Sequence, residues 1–362
     1  MNPSDEKRML ALAHTADDPA TRFRIGQYIP YLESAGWRVS LRTNRPSRPW
    51  QSPVRNPALR AVHQRLGVWR RRVNRLRDVR SAANYDAVFL NRDVLESDVR
   101  YERFLLRRNP RLIFDFDDAI FLGGKEAHAA WVCRRAAWVT AGNADLAEFA
   151  RRFTDRVTVL PTVIDTDAYA KAGVRPAGET FRVGWCGSDS SIRQTLYPHL
   201  DMLARLQRRL GFEFVIMTRP RPQLPETSLR WTFEEWSEDK ETRLRSFFDA
   251  GIMPLTSDAY QRYKCGCKLL QYMASGLPSV ASPVGINVRL VEEGRGGFLA
   301  ATEDEWYGAV SRLMGDDRMC RELGAAGRAH VEKEYSLRAW LPVLLELLDR
   351  VAGLPAPDPV RA

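Results

Sequence analysis

Short apolar runs alternate with amphipathic stretches along the whole chain, and this alternation constrains the fold more than any other feature. Met9–Ala13, Trp37–Leu41, Ala87–Leu90, Arg111–Phe114, Ala137–Thr140 and Val157–Leu160 read as strands in the first half. Phe181–Trp185, Phe212–Met217, Ala250–Met253 and Ser279–Ala281 continue the series in the second half. Helical spacing falls between them, over Thr21–Glu33, Asp93–Arg107 and Cys267–Ser275. This order predicts an α/β protein whose parallel sheets carry helices on both faces. A turn-rich break from Pro161 to Gly178 divides the series, and 362 residues suit two cores better than one. The expected domains are 1–165 and 181–336, joined by a linker at 166–180. A helix at 337–352 and a tail at 353–362 follow.

The net charge of +10 is concentrated in one place. The stretch 38–80, read as a basic insertion in the first domain, holds thirteen arginines, no lysine and a single acid, Asp78. Elsewhere bases and acids nearly balance. Its second half, 57–80, has helical spacing: Leu59, Val62, Leu66, Trp69, Val73 and Leu76 recur at three and four residues, with arginines on the other face. A basic amphipathic helix carrying a tryptophan suits a membrane surface. A packed helix with a solvated basic face has the same pattern. Nucleic acid would attract the same charge but is not the expected partner. The five cysteines are scattered and odd in number, which points to a reducing compartment, so a cytoplasmic protein on the inner face of the membrane is expected. Cys265 and Cys267 have no second pair nearby, so no metal site is expected. The opening MNPSDEKRMLALA does not make a signal peptide, and no apolar run is long enough to span a bilayer.

Two segments carry candidate chemistry. From Lys264 to Gly297 a glycine, Gly266, precedes a short helix that Gly276 and Pro278 stop; a small strand and a turn at Pro283 and Gly285 follow. Lys264 and Lys268 flank the helix start, where free N–H groups and a partial positive charge favour a diphosphate. An ordinary surface helix with solvated lysines would read the same way. The second segment is IFDFDDAIF, in which a buried strand delivers Asp115, Asp117 and Asp118 at its C-terminal end. Ligands bind beyond such ends in open parallel sheets, and clustered carboxylates are usually kept for a cation or for proton work. A helix N-cap with extra acids is the plainer alternative.

Together these residues resemble a known family. The run Met273–Ser282, followed by a Val-Gly pair and by Gly296–Leu299, resembles the donor-binding segment of the retaining glycosyltransferases of family 4, which have the GT-B fold. The similarity is greater to a bacterial subgroup, through Asp115–Phe121, Gly251–Leu255, Lys264–Ala274 and Ala281–Asn287, four blocks in order over both halves of the chain. The resemblance implies two Rossmann-like domains facing a cleft, with the final helix crossing back to the first. The first domain would hold a glycan or polyprenyl-diphosphate-linked acceptor, the second a nucleotide-diphosphate sugar, with no metal or other cofactor required. Asp117 and Asp118 would orient sugar hydroxyls or assist the acceptor proton. Gly187, Ser188, Lys264, Gly266, Lys268, Gln271, Gly285 and Asn287 would hold the donor, and Arg22 and Arg24 an anionic acceptor.

Two departures bear on this. Many family 4 enzymes carry a pair of glutamates where this chain has Tyr263 and Gln271. Gln271 can still hydrogen-bond ribose hydroxyls, without charge, whereas Tyr263 leaves the sugar-binding role of the first glutamate without a bearer. The usual lysine of the first loop in the second domain is also missing; Gly187, Ser188 and Asp189 occupy that loop and Arg193 is the nearest cation. A nucleotide-sugar epimerase of the same fold and a non-catalytic, membrane-attached nucleotide-sugar binding protein therefore stand as alternatives. His14 and Asn143 read as structural, the latter as a helix cap, and Trp231 and Trp236 as packing residues that could also stack on a base.

Overall fold

The computed structural model of the protein describes residues 6–44, 57–95, 98–169, 173 and 178–354. Residues 45–56 of the expected insertion 38–80, 170–172 and 174–177 of the expected linker 166–180, and 355–362 of the expected tail 353–362 lie outside the described residues. The chain divides into two compact units, Met1–Thr162 with Trp340–Ala362, and Val163–Ala339.

The first unit holds strands β1 (Lys7–Ala13), β2 (Trp37–Thr43), β3 (Ala87–Asn91), β4 (Leu112–Phe116), β5 (Trp138–Ala141) and β6 (Val157–Val159). They pair in the order β2-β1-β3-β4-β5-β6, all parallel. β3 and β4 are buried at every residue, as expected for central parallel strands covered on both faces. β4 runs two residues further than its apolar pattern suggests, so Asp115 lies inside the buried strand and only Asp117 and Asp118 lie beyond its end. The single helix expected over Thr21–Glu33 is instead three pieces, Pro19–Arg24, a 3-10 turn at Gly26–Tyr28, and Ile29–Ser34. Ile25 leaves the helical region at φ −141°, and Pro30 has no N–H to continue the ladder. The helix expected from Asp93 starts only at Val99, after Asp98 accepts a bond from the backbone N–H of Arg100.

The basic stretch does form a long helix, Pro57–Ser81. The first part of its apolar stripe does not face the core: Leu59, Val62, Leu66 and Trp69 are 53–64% exposed, whereas Val73 and Leu76 further along are half-buried. The arginines are not all on a solvated face either. Arg75 is buried, and its guanidinium donates to the carbonyl oxygens of Ala13 at 2.6 Å and Arg42 at 3.2 Å, at the end of the sheet. No helix among the described residues is long and apolar enough to cross a membrane.

The second unit holds β7 (Arg182–Cys186), β8 (Glu213–Thr218), β9 (Trp231–Glu235), β10 (Ala250–Met253), β11 (Ser279–Ala281) and β12 (Gly297–Leu299), in the parallel order β12-β11-β10-β7-β8-β9. The sequence pattern misses β9 and β12. Both are edge strands with no fully buried residue, so their apolar signal is weak. The helix Cys267–Ala274 lies over the centre of this sheet. Its Tyr272 packs on Gly251, where a Cβ would come within 2.5 Å of the ring. The Tyr272 hydroxyl accepts from the Cys186 N–H at 3.1 Å and donates to the Ile252 carbonyl at 3.3 Å. That ties the helix to the ends of β7 and β10 and fixes where Lys268 can reach.

Candidate functional site

At the C-terminal end of the first sheet the acids are built into a charge network. Asp115 and Arg24 are both wholly buried, and the guanidinium grips the carboxylate through Nε at 3.2 Å and a second nitrogen at 2.5 Å. Asn91 Nδ2 at 2.8 Å and Thr140 Oγ1 at 2.7 Å also donate to Asp115, and Arg24 donates to the Leu160 carbonyl. Arg24 is thus a positioning residue of the interior, and the expectation that it meets an acceptor is corrected by its burial. Arg22, on the same short helix, stays partly exposed, with its guanidinium 5.1 Å from the Phe23 ring centroid.

Asp117 and Asp118 share a cation. Arg92 lies between them, donating to Asp118 at 2.8 Å and Asp117 at 3.3 Å, and to Asp18 at 3.4 Å. The Arg92 backbone has φ +71°, rare for a residue with a side chain, and its N–H donates to the Asp115 carbonyl at 2.8 Å. Arg92 carries no local sequence signal that would have singled it out. Beside it, Asp93 accepts from His14 at 3.2 Å. Burial pushes Asp93 up, but the His14 hydrogen bond and charge, with the charges of His128 and Lys125, outweigh it and leave Asp93 below the usual carboxylate range. Among the described residues, no three of His, Cys, Asp and Glu are grouped so as to hold a metal ion.

In the second unit the expected donor residues divide into those with polar side chains at the site and those whose lack of a side chain makes room. Lys268 Nζ donates to Ser191 Oγ at 2.7 Å and lies 5.2 Å from the Trp185 ring centroid. A Cβ at Gly187 would stand 2.6 Å from the Trp185 ring and 2.8 Å from Lys268 Cε. Gly187 therefore makes room for the lysine and the tryptophan, beyond the simple approach of a ligand. Ser188 caps the short helix after β7 by accepting from the Ser191 N–H at 3.3 Å. Ser191 is the residue the sequence reading missed here; it joins the β7 loop to the lysine.

Gly266 caps the helix Cys267–Ala274 at φ +70°, packed against Leu290. Gly285 has φ +54° and ψ −132°, and a Cβ there would lie 2.2 Å from the Arg262 carbonyl oxygen. Both glycines are required by the backbone. Lys264 Nζ stands 4.7 Å from the Tyr260 ring centroid. Asn287 is fully buried; its amide donates to Ser282 O at 3.1 Å and its Oδ1 has no partner. It holds the Gly285 turn from within. Gln271 is buried too, donating to the Tyr169 hydroxyl at 3.3 Å. Asn143 caps the helix Ala144–Arg151, and the Trp236 ring N–H donates to Glu241 at 2.7 Å.

Similarity to known proteins follows this geometry. HepE from Anabaena, in complex with UDP and glucose, superposes with a TM-score of 0.66 at 14% identity, over 94% of this chain and 99% of that one. This is the GT-B fold. A glycosyltransferase from Rickettsia africae shares it with a TM-score of 0.68 at 11% identity, over 97% of this chain and all of that one. Sucrose-phosphate synthase from Thermosynechococcus elongatus does so with 0.66 at 14% identity, over 95% and 99%. Within the GT-B chain, residues 180–316 match the family described as Glycosyl transferases group 1. That span includes every residue assigned above to the donor. No curated protein matches the chain in sequence.

Proposed function

We propose that the protein is a glycosyltransferase that moves a sugar from a nucleotide-diphosphate sugar to a glycan or polyprenyl-diphosphate-linked acceptor, with retention of configuration, in the synthesis of a cell-surface polysaccharide or glycolipid. The observation that carries this is Lys268, held by Ser191 against Trp185 above Gly187, inside the span that matches the glycosyltransferase family. In the reaction the bond from the sugar's anomeric carbon to the distal phosphate oxygen breaks, and its electron pair leaves with the diphosphate. The acceptor oxygen bonds to that carbon and its proton passes to the leaving diphosphate. Negative charge grows on the diphosphate as it leaves. A fixed ammonium and the N-terminus of the helix Cys267–Ala274 favour that state over the ground state. Asp117 and Asp118, both held by Arg92, keep acceptor capacity for hydrogen bonds from sugar hydroxyls, and we assign them that role. The reading requires no metal.

The exposed stripe of Leu59, Val62, Leu66 and Trp69 on an arginine-rich helix supports attachment to an anionic membrane surface, where a lipid-linked acceptor would be found. Thermal shift with UDP, GDP, dTDP and ADP sugars tests the donor assignment. A ligand at about a hundred times its dissociation constant stabilises by roughly 2.7 kcal/mol. One base should raise the melting temperature of the wild type and leave Lys268→Ala unmoved; a shift of equal size in both proteins would remove the lysine from the site. Turnover of that donor with an acceptor separates an enzyme from a binding protein.

A further inference from the structure

We infer that the second unit carries a separate anion site, at the opposite end of the helix Cys267–Ala274 from the proposed donor, which takes a small soluble phosphorylated molecule. A cavity of about 530 Å³ opens there, lined by Tyr169, Arg245, Ser275, Gly276, Arg321 and Arg328 among others. Among the described residues, three guanidiniums and no carboxylate line it. Like charges brought together in one concavity repel, unless an anion is expected between them.

The three arginines differ in what holds them. Arg328 donates to the carbonyls of Ala274 at 2.6 Å, Thr166 at 3.2 Å and Tyr169 at 3.3 Å, and pairs with Glu332 at 2.8 Å. It thereby covers a carbonyl at the helix end, which would otherwise repel an anion. Arg245 and Arg321 make no hydrogen bond or ion pair with any described residue, although both line the cavity. Ser275 lines the same space; it is 2% exposed, and its buried hydroxyl has no partner among the described residues. Gly276, at φ +66°, forms part of the wall; a Cβ there would sit 3.5 Å from an Arg245 guanidinium nitrogen. Two planar forks match phosphate oxygens, which accept bidentate bonds. The volume exceeds what a bare phosphate needs and lies in the range of small-molecule pockets, so a phosphate ester or diphosphate is the ligand class. At a rise of roughly 1.5 Å per residue the helix places its two ends on the order of 12 Å apart, so a bound phosphate here is not the donor's.

The test is a calorimetric titration of the full chain with inorganic pyrophosphate, in the Lys268→Ala background so that the donor site contributes little. That protein should still bind pyrophosphate. Adding Arg245→Ala and Arg321→Ala should weaken the binding roughly tenfold or more, with the melting temperature of the unliganded protein unchanged. Arg321→Glu alone, at an exposed position, should weaken it in the same direction and serves if the combined variant does not fold. Equal affinity with and without the two arginines, or no pyrophosphate binding in Lys268→Ala, would overturn the assignment. Because the readout is taken without Lys268, it stands or falls separately from the donor reading.

Discussion

The polar ends of the two sheets are made in different ways. In the first unit, charged side chains from distant parts of the chain meet: Arg24 pairs one to one with Asp115, and Arg92 is shared by Asp18, Asp117 and Asp118. In the second unit the backbone makes the site. Gly187, Gly266 and Gly285 let neighbouring atoms come closer than a Cβ would allow, and Lys268 settles into the space on a hydroxyl and an aromatic face. The first arrangement presents carboxylate acceptors held in place by a shared arginine, which suits sugar hydroxyls. The second presents cationic groups on a close-packed loop, which suits a diphosphate. The difference also sets where each end is fragile. A network fails when a charge loses its partner, and a glycine loop fails when an atom is added.

The largest effect should follow from breaking the buried pair. Arg24→Met leaves the Asp115 carboxylate unpaired at zero exposure and should cost about 3–5 kcal/mol in chemical denaturation. Converting the pair together, Arg24→Met with Asp115→Leu, should recover much of that loss; failure to recover would mean that Asn91 and Thr140 contribute more than the arginine. Next comes the added atom. Gly285→Ala places a Cβ against the Arg262 carbonyl in a backbone region open only to glycine, and should cost about 1–3 kcal/mol. Nucleotide-sugar binding should fall with it, since the turn precedes the helix Ile286–Gly294. A Gly285→Ala protein with unchanged stability and binding would show that the second site is not set by its backbone. A smaller effect on folding, within about 0.5 kcal/mol, is expected for Leu66→Asp with Trp69→Asp, because both side chains are more than half exposed. The same variant should lose sedimentation with vesicles rich in anionic lipid. Retained sedimentation would assign that binding to arginines alone, and high salt would then abolish it.

The same contrast explains what could be read from the chain. The backbone of the segment proposed to hold the donor was legible because its evidence is local: Gly266, the stop at Gly276 and the turn at Gly285 lie within a few dozen residues and follow from helix ends and positive-φ glycines. Strand–helix alternation likewise gave ten of the twelve strands among the described residues, and the two missed are edges. The first site was legible only in its acids. Arg24 meets Asp115 across 91 positions, and Arg92 meets Asp118 across 26, so the pairing depends on which strands become neighbours. The long helix shows the same limit: its periodicity was right, but periodicity cannot say whether an apolar stripe turns towards the core or away from it.

The smallest expected effect concerns acid, and it sharpens the contrast because it touches only the charge-built end. Asp93 lies below the usual carboxylate range in the folded protein, on balance through His14, with His128 and Lys125 adding to it. A carboxylate whose folded value is depressed stabilises the protein above its unfolded value, about 3.9, and that contribution is lost as the pH falls through the lower folded value. Asp93→Asn removes the titrating group. Its stability should therefore lie below that of the wild type at pH 6, and the gap should narrow under acid, in denaturant melts taken from pH 6 down to about 3. Should the gap between the two proteins stay constant over that range, Asp93 acts through packing and its neutral hydrogen bond, and charge balance would not be what organises that end of the first sheet.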